Sequence, residues 1–178
     1  MIRCYVTGRR HGDVLENIAA AIQNGIDMIQ IREKDLPASE LYALVCRARD
    51  LAAGRATKVL VNDRLDVAIA AGIDGVHLPG NGLPVRRVRP LVRTLGCSVH
   101  SAAEALRAEK EGADFVVFGP VFETPGKTPV GLDALRAVTA AVRIPVLAIG
   151  GVTNQNTASV LKAGAAGIAA IRLFQASD

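Results

Sequence analysis

Four times along this chain a helix-like stretch runs into a glycine and then into residues rich in isoleucine and valine. The cases are Gly25-Ile-Asp-Met-Ile-Gln-Ile, Gly72-Ile-Asp-Gly-Val-His-Leu, Gly112-Ala-Asp-Phe-Val-Val-Phe and Gly164-Ala-Ala-Gly-Ile-Ala-Ala. Glycine just past a helix takes the left-handed conformation without a Cβ penalty, and an apolar run after it suits a strand buried on both faces. Each case reads as an αβ junction. The junctions stand about 40 to 52 residues apart, which leaves room for two βα units per interval.

Filling those intervals gives strands at 2–7, 27–32, 58–61, 74–78, 95–99, 114–118, 145–149 and 166–171. Helices fall at 13–24, 38–53, 64–71, 84–93, 101–111, 131–141 and 154–163. Strands alternating with helices in this way predict an α/β fold, a single closed (β/α)8 TIM barrel forming one domain over 1–178. The chain is short for that architecture, usually ~200 to 400 residues. Only Arg-Leu-Phe-Gln-Ala-Ser-Asp follows Ile171, so the C-terminal helix reads as truncated. A missing helix would leave apolar surface on strand eight and Phe174, where a second copy could pack as a homo-oligomer.

Half of the 178 residues are hydrophobic and 21% are charged, which excludes disorder and interrupts any membrane span. The start, Met1-Ile-Arg-Cys-Tyr-Val-Thr, lacks the basic-then-apolar order of a secretory signal, so the expected location is cytoplasmic. Cys4, Cys46 and Cys97 form no CxxC pair, against both a disulfide framework and a thiolate metal site. The net charge is +4, yet aromatic residues are 3% and tryptophan is absent, which favours small anionic substrates over nucleic acid. Arg86, Arg87, Arg89 and Arg93 are expected on a solvated helix face.

Barrels of this kind carry their chemistry at the C-terminal ends of strands. Along Asp27–Lys34, period-two alternation turns Ile29 and Ile31 outward and Gln30, Arg32 and Lys34 inward. Arginine and lysine at a barrel mouth suit a phosphate or pyrophosphate; the alternative is internal pairing of Arg32 with Glu33 or Asp63. Asn62 and Asp63 end strand three. Asp63 either caps the next helix or, with substrate oxygens and water, holds Mg²⁺.

Ser98 and His100 face the same way on strand five, and Ser101 with Glu104 forms a capping box. His77 and His100 read as polar rim residues without the partners of a metal site or nucleophilic triad, and His11 carries no signal. The loop Phe122–Pro129 is long enough for a mobile flap, on which Lys127 either meets a leaving phosphate or sits in a solvated turn. Gly150-Gly151 and Ile171-Arg172 follow strands seven and eight, where many barrels bind phosphate through backbone N–H groups. Two anion-binding regions result. Gln30, Arg32, Lys34, Asn62, Asp63 and Lys127 form one, the ends of strands seven and eight the other, and together they suit two phosphorylated substrates.

Gln-Ile-Arg-Glu-Lys (30–34), Val-Asn-Asp-Arg (61–64), Asp-Gly-Val-His-Leu (74–78), Ser-Val-His-Ser (98–101), Gly-Ala-Asp-Phe-Val-Val-Phe-Gly-Pro-Val-Phe-Glu-Thr (112–124) and Pro-Val-Leu-Ala-Ile-Gly-Gly-Val (145–152) occur in register. In these motifs, over nearly its whole length, the chain resembles the thiamine phosphate synthase family and its TenI-type thiazole tautomerase relatives. The resemblance implies condensation of hydroxymethylpyrimidine pyrophosphate with a thiazole phosphate, releasing pyrophosphate through a pyrimidine methyl cation. It also implies that Gln30, Arg32, Lys34, Asn62, Ser98 and Lys127 hold the pyrimidine pyrophosphate, with Arg32, Lys34, Lys127 and Ser98 as the catalytic group. Asp63 would hold Mg²⁺, and Thr124, Gly150, Gly151, Ile171 and Arg172 would form the thiazole phosphate side.

Departures from that pattern are local. Pro79-Gly80-Asn81-Gly82 stands where the family has Gly-Gln-Glu-Asp, so its second metal-binding aspartate is missing. Gly126 replaces a threonine and Arg172 a small hydroxyl residue. The tautomerases carry a histidine just after strand six, where this chain has Pro120. The expected activity is therefore the synthase, with tautomerase and non-catalytic phosphate binding as alternatives.

Overall fold

The computed structural model describes residues 1–9, 12–73 and 75–175. His11, Asp74 and the last three residues, 176–178, lie outside the described residues. The strands are β1 (Ile2–Val6), β2 (Met28–Ile31), β3 (Lys58–Asn62), β4 (Gly75–Leu78), β5 (Thr94–Val99), β6 (Phe115–Phe118), β7 (Val146–Ile149) and β8 (Gly167–Ala170). They follow one another in chain order around a closed barrel, every neighbouring pair parallel, with β8 returning to β1. Between them run α1 (Val14–Gln23), α2 (Ala38–Ala52), α3 (Leu65–Ala71), α4 (Val85–Val88), α5 (Ala102–Lys110), α6 (Gly131–Ala141) and α7 (Thr157–Lys162).

The four junction glycines behave as their positions require: Gly25, Gly72, Gly112 and Gly164 have φ of 68°, 63°, 98° and 92°. Strand alternation then sorts side chains into two cores. Tyr5, Ile29, Ile31, Val61, Val76, Leu78, Leu95, Val116 and Ile168 point outward and pack against the helices. Cys4, Val6, Met28, Leu60, Phe115, Val117, Leu147 and Ala169 fill the barrel interior. Strands with apolar residues on both faces have no solvated side, as expected of a parallel barrel.

Three expectations change. The helix placed at 84–93 is a single turn, α4, followed by a 3₁₀ turn at Arg89–Leu91, because Pro90 has no N–H to continue the α-helical ladder. Arg89 does not join a solvated face. It is half-buried and donates to Asp114 at 2.7 Å and to the Gly112 carbonyl at 3.2 Å, tying α4 to the α5–β6 junction. After β8 there is a 3₁₀ turn, Arg172–Phe174. Leu173 and Phe174 are half-buried and pack against the outer core, so the chain itself covers part of the apolar surface expected to lie open there.

Candidate active site

Register places the polar residues at one end of the barrel. Gln30 is buried, paired in register with Val6 and Leu60, and so faces the interior. Two and four residues further on, Arg32 and Lys34 line a cleft of about 200 Å³ together with Asn62, Asp63 and Arg64. β2 ends at Ile31, so alternation places Gln30 inside the barrel, while Arg32 and Lys34 lie in the loop that follows and meet Asn62 and Asp63 at the end of β3 there.

Internal pairing does not consume the Arg32 charge. The Glu33 carboxylate is buried and accepts from Thr7 Oγ1 at 2.6 Å and from the Arg9 N–H at 3.3 Å. Thr7 Oγ1 in turn accepts the Arg32 backbone N–H at 2.9 Å. This network holds the Arg32 main chain and leaves the guanidinium without an ion pair among the described residues. Sequence reasoning missed Thr7 and Arg9, because their role exists only once β1 lies beside β2.

Asp63 does not cap α3. The N-cap is Arg64, with no side-chain cap, and Arg64 pairs with Asp66 at 2.6 Å. Asp63 instead has a φ of 64°, the single positive value among the described non-glycine residues. Its N–H donates to the His77 carbonyl at 2.9 Å, while its exposed carboxylate has no hydrogen bond or ion pair among the described residues. A left-handed residue held with an uncommitted side chain is the kind of strain that marks functional sites.

His77 is an interior residue rather than a rim one. It is 2% exposed, with its Nε2 2.8 Å from Ser98 Oγ and its ring 5.9 Å from that of Phe115. Burial first, and the Arg32 charge second, push its pKa down to about 3, so the ring is neutral at pH 7. Ser98 is half-buried, near the C-terminal end of β5. Ser101 caps α5, accepting the Glu104 N–H at 3.2 Å, and the Glu104 carboxylate returns to the His100 N–H at 2.8 Å.

Across the ring from β2 and β3 stand β6 and β7. Here the expected flap is a closed turn: Lys127 N–H donates to the Thr124 carbonyl at 3.0 Å, and Gly126 takes the φ of 74° that a type II turn needs after Pro125. The loop leans on the β7 end through Val121 N–H to Ile149 O, 2.8 Å, and Phe122 N–H to Gly150 O, 3.0 Å. Gly150 and Gly151, at φ 92° and 64°, allow that approach; a Cβ on Gly151 would lie 2.5 Å from the Glu123 carbonyl. Lys127 lies exposed in that turn, on the loop that rests against Gly150 and Gly151. Ile171 packs on the interior core and Arg172, just after it, is exposed.

The mouth therefore presents a cationic cleft with one free carboxylate, facing a glycine-rich loop pair that bears Thr124 and Lys127. Among the described residues no group of three histidine, cysteine or carboxylate side chains could hold a metal. A profile of the family described as thiamine monophosphate synthase matches residues 4–174. A thiamine-phosphate synthase of Methanoculleus marisnigri is 47% identical over 171 residues, 92% of this chain and 80% of its own. One from Chloroflexus aurantiacus is 41% identical over 177 residues, covering 96% and 81%. The solved thiamine phosphate pyrophosphorylase of Pyrococcus furiosus superposes with a TM-score of 0.91 at 38% identity, covering 99% of this chain and 89% of that one.

Proposed function

This chain belongs to the thiamine monophosphate synthase family and is a transferase of thiamine biosynthesis, and we propose that its barrel mouth joins a hydroxymethylpyrimidine pyrophosphate to a thiazole phosphate. The bond from the pyrimidine methylene carbon to the pyrophosphate oxygen breaks, and a bond from that carbon to the thiazole nitrogen forms. Pyrophosphate leaves with the electron pair. The observation that carries the reading is the cleft in which Arg32, Lys34, Asn62 and Asp63 meet without neutralising one another.

Such a reaction asks mainly for stabilisation of a departing polyanion, which preorganised cations supply without reorganisation. Arg32 binds the pyrophosphate bidentately and Lys34 adds a point charge, while Gln30, Asn62 and Ser98 add hydrogen bonds to the same pyrimidine pyrophosphate. Lys127 approaches from the opposite loop. Thr124, the backbone N–H groups of Gly150 and Gly151, Ile171 and Arg172 receive the thiazole phosphate. The free Asp63 carboxylate fits Mg²⁺, which accepts few protein ligands when substrate oxygens and water complete its shell. Bound there, the ion would neutralise charge on the pyrophosphate.

The test is pyrophosphate release by the purified chain given both substrates and Mg²⁺. Turnover is expected, with kcat/KM falling about 100-fold or more in Arg32→Ala. No turnover at saturating substrates overturns the reading. In that case, proton exchange on the thiazole followed by NMR would assign tautomerase chemistry, and Mg²⁺-independent binding of thiazole phosphate alone would assign a non-catalytic role. A cytoplasmic location and self-association belong to the same proposal. Among the described residues no helix is long and apolar enough to cross a membrane. Exposed Ile69 and Leu91 on the helical shell support a second copy, to be checked by light scattering.

A further inference from the structure

The interior of the barrel holds a buried histidine, His77, to which the reaction described above gives no role. His77 has one ring nitrogen, Nε2, 2.8 Å from Ser98 Oγ, and its other, Nδ1, is buried with no hydrogen-bond partner among the described residues. Nδ1 is turned toward the Gly96 backbone, since a Cβ added there would lie 2.7 Å from it. A neutral imidazole carries one proton, so two arrangements exist. With the proton on Nδ1, a buried N–H has no acceptor and Ser98 must donate to Nε2. With the proton on Nε2, the ring donates to Ser98 Oγ and the orphan at Nδ1 is only a lone pair. Orphaned buried donors are rarer in proteins than under-satisfied acceptors, which favours the second arrangement.

We propose that His77 is a positioning residue: its Nε2–H donates to Ser98 Oγ and so turns the Ser98 hydroxyl proton outward, toward an oxygen of a pyrophosphate group in the barrel mouth. Ser98 is half-buried near the C-terminal end of β5, the end at which a barrel carries its site, two residues past Gly96, the register partner of His77 on β4. A serine hydroxyl can donate or accept, and an anion has use only for the donor. Occupying the Ser98 lone pair from below makes the hydroxyl a committed donor above, so that no reorientation is needed when the anion binds. Phe115 packs against the imidazole, and Gly96 leaves room for both rings, which holds His77 in place. The inference rests on the proposed reaction only for the identity of the anion.

Two measurements test it. Nitrogen-15 NMR of the native chain labelled at histidine, with His77→Gln used for assignment, is expected to show a proton on Nε2 and none on Nδ1. The opposite tautomer overturns the proposal. The second is a double-mutant cycle on both pyrophosphate release and the affinity for inorganic pyrophosphate. His77→Phe fills the space without a donor and is expected to lower both by about tenfold, the scale of one lost hydrogen bond to a charged group. His77→Gln, which keeps an N–H near Nε2, is expected to recover most of that loss. In a Ser98→Ala background His77→Phe should cost nothing further. Equal losses in both backgrounds overturn the proposal, because His77 would then act by packing alone. A native chain that binds inorganic pyrophosphate but releases none from the two substrates defeats the assigned reaction, while the tautomer and the affinity cycle still decide the role of His77.

Discussion

Asp63 combines a backbone cost with a side chain to which the proposed reaction gives the metal, and the two can be separated by substitution. A non-glycine residue at φ 64° carries strain of about 1–3 kcal/mol, less the entropy that glycine would lose on folding. Asp63→Gly is therefore expected to stabilise the fold by about 1 kcal/mol while abolishing Mg²⁺-dependent turnover. Asp63→Asn, which also tolerates the left-handed region, should lose turnover with little change in stability. Thermal melts and pyrophosphate release measured on the same samples decide it; a destabilised glycine variant would mean that the carboxylate has a structural partner. His77 gives a pH dependence at the same scale. Its native pKa of about 3 lies below the ordinary 6.5, so between those values the unfolded chain takes up a proton that the native chain refuses. Stability falls as pH drops from 6.5 toward 3 and is independent of this group above 6.5. His77→Gln should flatten that part of the acid limb in melts from pH 7 to pH 4. What the sequence revealed here was the inward face of Gln30, from alternation, and the position of Arg32 and Lys34 just past the C-terminal end of β2, where a barrel carries its site. It did not reveal Thr7 beside Glu33, or the burial of His77, because both depend on which strand lies alongside.

Elements were legible where a local rule acts alone. Ser101 with Glu104 reads as a helix start from its spacing, and the cap forms. Ser101→Ala should cost about 1 kcal/mol and leave kcat unchanged, which separates this serine from Ser98 three residues earlier. The helix at 84–93 was read too long because its apolar spacing continues past a proline that ends the ladder. In the Phe122–Pro129 loop the local signal is Pro125-Gly126, which specifies a tight turn, while the contacts of the loop with the β7 end depend on which strand lies alongside. Gly151 is one of the close contacts between the two loops. Gly151→Ala would push a methyl group into the Glu123 carbonyl, so it should raise KM for the thiazole phosphate more than for the pyrimidine pyrophosphate. Equal effects on both would mean that the loop pair does not form one substrate's site.

At the scale of the whole molecule, closure of eight strands leaves a narrow interior that must be filled by side chains of matched size. Glycines in register with large neighbours do this: Gly96 lies beside Phe115, and a Cβ on Gly75 would lie 2.7 Å from Leu60. The sequence predicted the count and order of strands, since each αβ junction carries its own glycine signal. It could not predict which glycines serve as interior space, because that depends on the stagger between neighbouring strands. Gly96→Ala tests this packing. Its methyl group would stand 2.7 Å from His77 Nδ1 and closer to the Phe115 ring. Overpacking of this kind costs about 1–3 kcal/mol, roughly 2–12 °C in Tm for a chain of this size. If interior volume alone is at issue, Phe115→Leu in the same molecule should return most of the lost stability, although Phe115→Leu by itself destabilises by leaving a void. Should the double variant be no more stable than Gly96→Ala, the clash with His77 dominates, and pyrophosphate release should then fall with Tm as Ser98 loses its support.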